Sequence, residues 1–282
     1  MSEVMEDTSR TVAVSCFAPQ LFKGKRVLLT GASRGIGRAC SIAFASLGAD
    51  LVLLSKNAQN LAALQKELEP LSSGPTALFE AVDLADAEAL NASLKRIKDK
   101  LDGVDILINN AGIYITEAVA EHSLANWQRT MDTNLTSAML LSSQLVSGMV
   151  ERQWGRIINI SSMSGRSGEA YGAAYSASKF ALIGLTQSLA LEVAAAGVTV
   201  NAICPGWVAT EMAFEQLNDP RWCELNHLEV AQSVDVAKFS VPQQRLIEAS
   251  EIADLVVYLA TDAARGITGQ SINICGGLSI HS

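Results

Sequence analysis

The sequence predicts an α/β fold: a doubly wound sheet of seven parallel strands with helices on both faces. Three features predict it. From Lys25 onward, short β-rich apolar runs alternate with longer segments of helical period. The runs are continuously apolar instead of alternating with polar residues, as strands covered on both faces are. The first run also passes through a glycine-rich turn straight into a helical pattern.

The candidate strands are Val27 to Thr30, Leu51 to Leu54, Ala77 to Val82, Ile106 to Ile108, Arg156 to Ile160, Thr199 to Ile203 and Ser271 to Ile274. Helical periodicity covers Ile36 to Leu47, Ala58 to Leu68, Ala85 to Leu101, Leu124 to Met149, Tyr171 to Ala195 and Ser250 to Thr261. Residues 1–22 mix Ser, Thr and acids around one short apolar stretch and read as a flexible N-terminal extension, so a single catalytic domain is expected over 23–282. The stretch from Thr210 to Gln244 is more polar, carries Pro220, Trp222 and Cys223, and has no clear strand. It is expected to form a substrate lid.

Composition narrows the function. A chain of 282 residues, 49% hydrophobic and 18% charged, can bury a core without disulfides or metal, and disorder, collagen repeats and coiled coil are excluded. A net charge of −8 opposes the broad positive field that a phosphate backbone requires, so nucleic acid is not an expected partner. No run approaches the roughly 20 uninterrupted apolar residues of a bilayer span, so no membrane partner is expected either. The N-terminus opens acidic (Glu3, Glu6, Asp7), unlike a signal peptide. Five scattered cysteines (Cys16, Cys40, Cys204, Cys223, Cys275) without a C-x-x-C pair suit a reducing cytoplasm. They and the three histidines (His122, His227, His281) show no metal-ligand spacing, and no metal is expected.

The glycine turn runs Thr30-Gly31-Ala32-Ser33-Arg34-Gly35-Ile36-Gly37. Glycines at a strand-to-helix turn let the backbone approach a pyrophosphate, and the helix N-terminus presents N–H groups and a favourable dipole. The spacing is G-x3-G-x-G rather than G-x-G-x-x-G, and a glycine trio alone reads also as a structural turn. The end of the second strand selects the dinucleotide, because an acid there would bond the ribose 2′-hydroxyl of NAD and repel a 2′-phosphate. That place holds Ser55 and Lys56, while Asp50 lies at the strand's opening end. A single lysine is commonly just a solvated loop residue. With Arg34 as a second cation in the turn, the local charge favours NADP(H), with NAD(H) as the alternative.

At the chemical end, Tyr175-Ser176-Ala177-Ser178-Lys179 opens a helix and puts a phenol and an ammonium at i, i+4 on one face. A cationic Lys179 and an oxidised nicotinamide would lower the Tyr175 pKa and make the phenol an acid or base near neutrality. Such a pair is common on solvated helix faces, but here the preceding strand ends Ile158-Asn159-Ile160-Ser161-Ser162 and the fourth ends Asn109-Asn110-Ala111-Gly112. Both deliver polar groups to the carboxyl edge of the sheet, where open α/β folds bind ligands. Asn134 interrupts an apolar helical pattern: either it caps a break or its side chain serves a ligand or water.

Taken together, the region from about Lys23 to the C-terminus resembles the short-chain dehydrogenases/reductases, in their compact single-domain branch with a Rossmann-type sheet. The resemblance rests on Thr30-Gly31-x3-Gly35-x-Gly37, Asp83, Asn109-Asn110-Ala111-Gly112, Asn134, Ser162, Tyr175-x3-Lys179, and Pro205-Gly206 followed by Thr210. Tyr175 follows Ser162 by thirteen residues, the family's interval, which picks Ser162 over Ser161. The resemblance implies a catalytic tetrad of Asn134, Ser162, Tyr175 and Lys179. Tyr175 would protonate the carbonyl oxygen that Ser162 holds, Lys179 would also bind the nicotinamide ribose, and Asn134 would hold a water for proton relay. It implies cofactor contacts from Gly31, Ser33, Arg34, Gly35, Ile36 and Gly37; from Ser55 and Lys56; from Asp83 at the adenine amine, with Leu84; from Asn110, Ala111 and Gly112 at the adenosine ribose; from Tyr175 and Lys179; and from Pro205, Gly206, Val208 and Thr210.

Within that family the glycine loop, the Tyr-Ser-Ala-Ser-Lys motif and the tail from Ile267 to Gly277 are most similar to 3-oxoacyl reductases, and Pro205-Gly206-Trp207 is similar to 3-hydroxybutyrate dehydrogenases. The expected function is thus an NADP(H)-dependent oxidoreductase acting on a small-molecule ketone or secondary alcohol. The alternatives are an NAD-dependent hydroxy acid dehydrogenase and a non-catalytic nucleotide-sensing protein. Trp207, Met212, Phe214 and Trp222 are candidate pocket walls, although aromatics in a lid also simply pack it down. The resemblance also implies a homotetramer or homodimer, and the small-residue face Ala173, Ala174, Ala177, Ala181 and Gly184 would allow the close helix pairing this needs.

Overall fold

The computed structural model describes residues 17–71 and 77–280. In chain order it contains β1 (Arg26–Thr30), α1 (Gly35–Ser46), β2 (Asp50–Ser55), α2 (Ala58–Leu68), β3 (Leu78–Ala81), α3 (Ala87–Lys100) and β4 (Ile106–Asn109). There follow α4 (Leu124–Met131), α5 (Ser137–Glu151), β5 (Gly155–Ile160), α6 (Ala173–Val193) and β6 (Val198–Pro205). The chain closes with α7 (Glu211–Leu217), α8 (Pro220–Leu225), α9 (Val230–Ser240), α10 (Ala249–Ala260) and β7 (Ser271–Ile274). The seven strands form one parallel sheet in the order β3-β2-β1-β4-β5-β6-β7.

The continuous apolar runs do what their pattern requires. Leu28 faces one layer with Val52, Leu107 and Val200, beneath α3, α5 and α6. Val27 and Leu29 face the other with Phe44, Leu53, Ile108 and Val256, beneath α1, α2 and α10. Every residue of β4, β5 and β6 is buried. Helix starts carry side-chain caps where the sequence supplies them: Asn57 accepts from the Asn60 amide, Asp86 from Ala89 and Ser123 from Asn126. At the opposite edge from the ligand side, Asp105 accepts two bonds from the Arg26 guanidinium at 3.0 Å, joining β1 to the entry of β4.

β1 lies between β2 and β4, so chain direction diverges there: the sheet is extended one way from β1 by β2 and β3 and the other way by β4 to β7. That switch point opens a crevice at the carboxyl ends of β1 and β4. α6 is long and apolar enough to pass for a membrane span, yet it packs on β5, β6 and α4 within the fold.

Two expectations need correction. The single helix expected over Leu124 to Met149 is α4 and α5 separated by a π-turn at Asp132–Thr136. Phe22, assigned to a flexible extension, is buried, stacks on Phe44 with ring centroids 4.8 Å apart and donates its amide to the Leu47 carbonyl. Packing into the fold therefore includes Phe22, before the boundary set at residue 23; residues 1–16 lie outside those described.

Candidate active site

The glycine turn is shaped by backbone contact. A Cβ on Gly37 would lie 2.0 Å from the Gly31 carbonyl oxygen, and one on Gly31 would lie 2.9 Å from the Ala111 Cα, so neither position accepts a side chain without moving the main chain. Gly31 and Gly35 also hold positive φ, at 64° and 51°. Asn110 locks the turn to the neighbouring strand: its Nδ2 donates to the Thr30 and Gly31 carbonyls at 2.9 and 3.2 Å, while Thr30 Oγ1 accepts the Asn110 and Ala111 amides at 3.0 Å. Arg34 at the N-cap of α1 makes no side-chain cap bond and the first turn holds no acid, so the amide end of the helix faces the crevice uncapped by side chains. This cradle fits a pyrophosphate.

A cavity of about 690 Å³ runs from this turn across the carboxyl edge of the sheet. Every residue singled out in the sequence for catalysis or cofactor contact lines it except Ser33, Gly37 and Asn134. Ser33 sits behind the turn, sharing a 2.7 Å hydrogen bond with Ser55, and Gly37 packs under Gly31. Asn134 is buried at the π-turn, where Oδ1 accepts the Ile113 amide at 2.8 Å and Nδ2 donates to the Ile113 carbonyl and to Ser178 Oγ. The helical pattern widens into the π-turn there without a side-chain cap bond, and the Asn134 side chain ties the post-β4 loop to α6. One Oδ1 lone pair remains for a water.

The cations near the carboxyl end of β2 and the glycine turn are engaged. Lys56 Nζ lies 2.6 Å from Asp83, and Arg34 Nη1 lies 2.8 Å from Glu215 on α7. The Lys56 hydrogen bond holds the Asp83 carboxyl below the usual carboxylate range against its own burial. The cationic corner is therefore a set of exposed ion pairs rather than bare charge. No acid stands at Ser55 or Lys56, the place an NAD-type ribose contact would need.

Tyr175 and Lys179 leave α6 on one face, with Lys179 Nζ 5.5 Å from the Tyr175 ring centroid and donating to the Ile160 carbonyl at 2.8 Å. Lys179 is 3% exposed, and burial brings its ammonium down to about 8. Burial also pushes the Tyr175 phenol up to about 12, with the Ser162 hydrogen bond opposing and the Glu169 charge adding to the rise. In the protein alone the phenol thus moves opposite to the fall expected from Lys179 and nicotinamide. At neutral pH it is a proton donor. Ser162 opens a short 3-10 turn and its Oγ accepts the Ser164 amide, whereas Ser161 Oγ is buried and bonded to the Lys179 carbonyl.

Trp207, Met212 and Trp222 line the cavity, Trp207 and Trp222 meeting edge to face at 6.0 Å; Phe214 does not line it and is 39% exposed. Sequence reasoning missed Glu169, Tyr114 and Gln216. Glu169 lines the cavity and accepts from Tyr114 Oη at 3.1 Å, Gln216 Nε2 at 2.9 Å and Ser164 Oγ at 2.8 Å. A lone acid in a turn carries no periodic signal; its place inside the thirteen-residue interval from Ser162 to Tyr175 was the one available hint.

Comparison with known proteins agrees with this geometry. A family model described as short chain dehydrogenase matches residues 25–221. A 3-oxoacyl-acyl-carrier-protein reductase, FabG, of Vibrio cholerae is 38% identical over 256 residues, covering 91% of this chain and 98% of that one. A D-beta-hydroxybutyrate dehydrogenase of Rhizobium meliloti is 34% identical over 255 residues, covering 90% and 98%. The crystal structure of a single-substitution variant of actinorhodin polyketide ketoreductase with NADPH superposes with a TM-score of 0.84 at 33% identity, over 93% of this chain and 99% of that one.

Proposed function

This chain belongs to the short chain dehydrogenase family, and we propose that within it the protein is an NADP(H)-dependent reductase of 3-oxoacyl-like or other ketones. Oxidoreductase chemistry on a carbonyl or alcohol, with a nicotinamide cofactor, comes with the family. The observation that carries the finer reading is the meeting of Tyr175, Ser162 and Lys179 with the glycine cradle in one cavity.

When bound, NADPH supplies the hydride to the carbonyl carbon. Tyr175, protonated at neutral pH, gives its proton to the carbonyl oxygen, and Ser162 fixes that oxygen by hydrogen bond. Lys179 supports the negative charge that forms on Tyr175 and bonds the ribose; Asn134, through its remaining lone pair, holds the water that returns a proton. Arg34 and Lys56, exposed and paired only to exposed acids, take the 2′-phosphate, while Asp83 accepts from the adenine amine. The segment 210–244 acts as the lid. The reading includes cytoplasmic residence and a homotetramer or homodimer, for which α6 offers exposed Phe180 and Leu191.

The test is oxidation of NADPH against 3-oxoacyl thioesters, diketones and cyclic ketones. Turnover is expected, with kcat/KM falling about a thousandfold in Tyr175→Phe, within the range of a lost general acid. Turnover that survives in that variant removes the mechanism.

A further inference from the structure

We propose that Glu169 selects substrates by charge: the cleft admits ketones whose neighbouring group is neutral or cationic and turns away those carrying a free carboxylate beside the carbonyl. This rests on the reductase reading and names its substrate class.

Glu169 is the hub of the substrate end. Its three donors come from three walls: Tyr114 from the loop after β4, Ser164 from the turn after β5, and Gln216 from α7. All three donors are neutral, so they fix the carboxylate in place without bringing a positive charge to it. The carboxylate's charge reaches the reacting group, since burial and then Glu169 raise Tyr114, and Glu169 adds to the rise of Tyr175.

Among the described residues, no cation forms an ion pair with Glu169. Among the described residues lining the cavity, the cations are Arg34, Lys56, Arg129 and Lys179. Arg34 holds Glu215, Lys56 holds Asp83, and Arg129 acts on that same Asp83 at the adenosine end. Lys179 is tied to the Ile160 carbonyl. Trp207, Met212 and Trp222 add apolar surface to the wall, and Ser167, Asn226 and Ser279 add neutral polar groups. A second anion placed there meets a fixed carboxylate in a partly dehydrated space, and discrimination by like-charge repulsion follows. A thioester, ester or amino ketone carries no such penalty.

The experiment measures kcat and KM for ethyl acetoacetate and for acetoacetate with NADPH, on the full chain. The ester-to-acid ratio of kcat/KM is expected to be about a hundred in the native protein and to fall at least about tenfold in Glu169→Gln, chiefly through KM for the acid. Gln216→Lys, which brings a cation to the intact carboxylate, is expected to lower the ratio as well, and melting temperature checks that both variants are folded. Equal use of acid and ester by the native protein, or a ratio unchanged in both folded variants, overturns the proposal. Ester turnover with an unchanged ratio removes this inference alone, whereas no turnover on any ketone removes the reductase reading and this inference with it.

Discussion

The two ends of the cleft are built by different means. The glycine turn is mostly main chain: one strand, one turn and one helix start, continuous in sequence, with glycines where a Cβ would strike backbone. The substrate end is side chain: Tyr114, Glu169, Gln216 and Trp222 arrive from four separate segments and meet only because the sheet order brings those segments together. A site made of backbone has little freedom to vary, while a site made of side chains can be re-specified one residue at a time.

The largest expected contrast comes from Gly37→Ala. Its Cβ would lie 2.0 Å from the Gly31 oxygen, so the turn must open. A loss of about 3 kcal/mol in stability by chemical denaturation is expected, the upper end of ordinary overpacking, together with loss of measurable nucleotide binding. A comparable enlargement at the substrate end, Met212→Phe, is expected to leave stability within about 1 kcal/mol and to alter KM values instead. Equal losses in the two variants would erase the distinction.

Charge reversal at the adenosine end comes next. Lys56→Asp puts an acid at the end of β2, and the preference for NADP over NAD, read as thermal stabilisation at equal concentration, is expected to invert by about a hundredfold in relative affinity. A clear NAD preference in the native protein would instead show that the Lys56 and Asp83 pair is purely structural.

The pH response belongs to the substrate end. With the Tyr175 phenol up at about 12 and the Lys179 ammonium down at about 8, raising pH from 6 to 9 leaves the proton donor intact but increases the small phenolate fraction that alcohol oxidation requires. Alcohol oxidation is therefore expected to climb over that interval, and ketone reduction is not. Paired initial rates in both directions check the sign.

The smallest effect joins the two ends. Arg34 at the glycine turn pairs with Glu215 on α7, both well exposed, so the bond contributes at most about 1 kcal/mol. Glu215→Ala frees Arg34 for the 2′-phosphate, and about two- to fivefold tighter NADPH binding is expected by titration.

The same contrast explains what the amino-acid sequence disclosed. The α2 boundaries were legible to the residue, because Asn57 is a strong cap and Leu61, Leu64 and Leu68 repeat on one face. The glycine turn and the Tyr175 and Lys179 pair were legible because each is local. The π-turn was not: one extra residue hardly disturbs a 3.6-residue apolar period read over a window. Nor was the pairing of Arg34, whose partner lies 181 residues away, or the role of Phe22, an isolated aromatic until Phe44 is folded beneath it.

That π-turn also makes the catalytic end sensitive to residue count as well as residue type. A π-turn accommodates one more residue than ordinary helix, so deleting one position within Asp132–Thr136 would close it into ordinary helix and remove the bulge that carries Asn134 to the post-β4 loop. Asn134 would then lose Ile113 and Ser178 together, although every side chain named in the active site would still be encoded. A single-codon deletion far from Tyr175 in sequence is thus expected to abolish the proposed activity while leaving the recognisable motifs untouched, which a turnover assay of that variant checks.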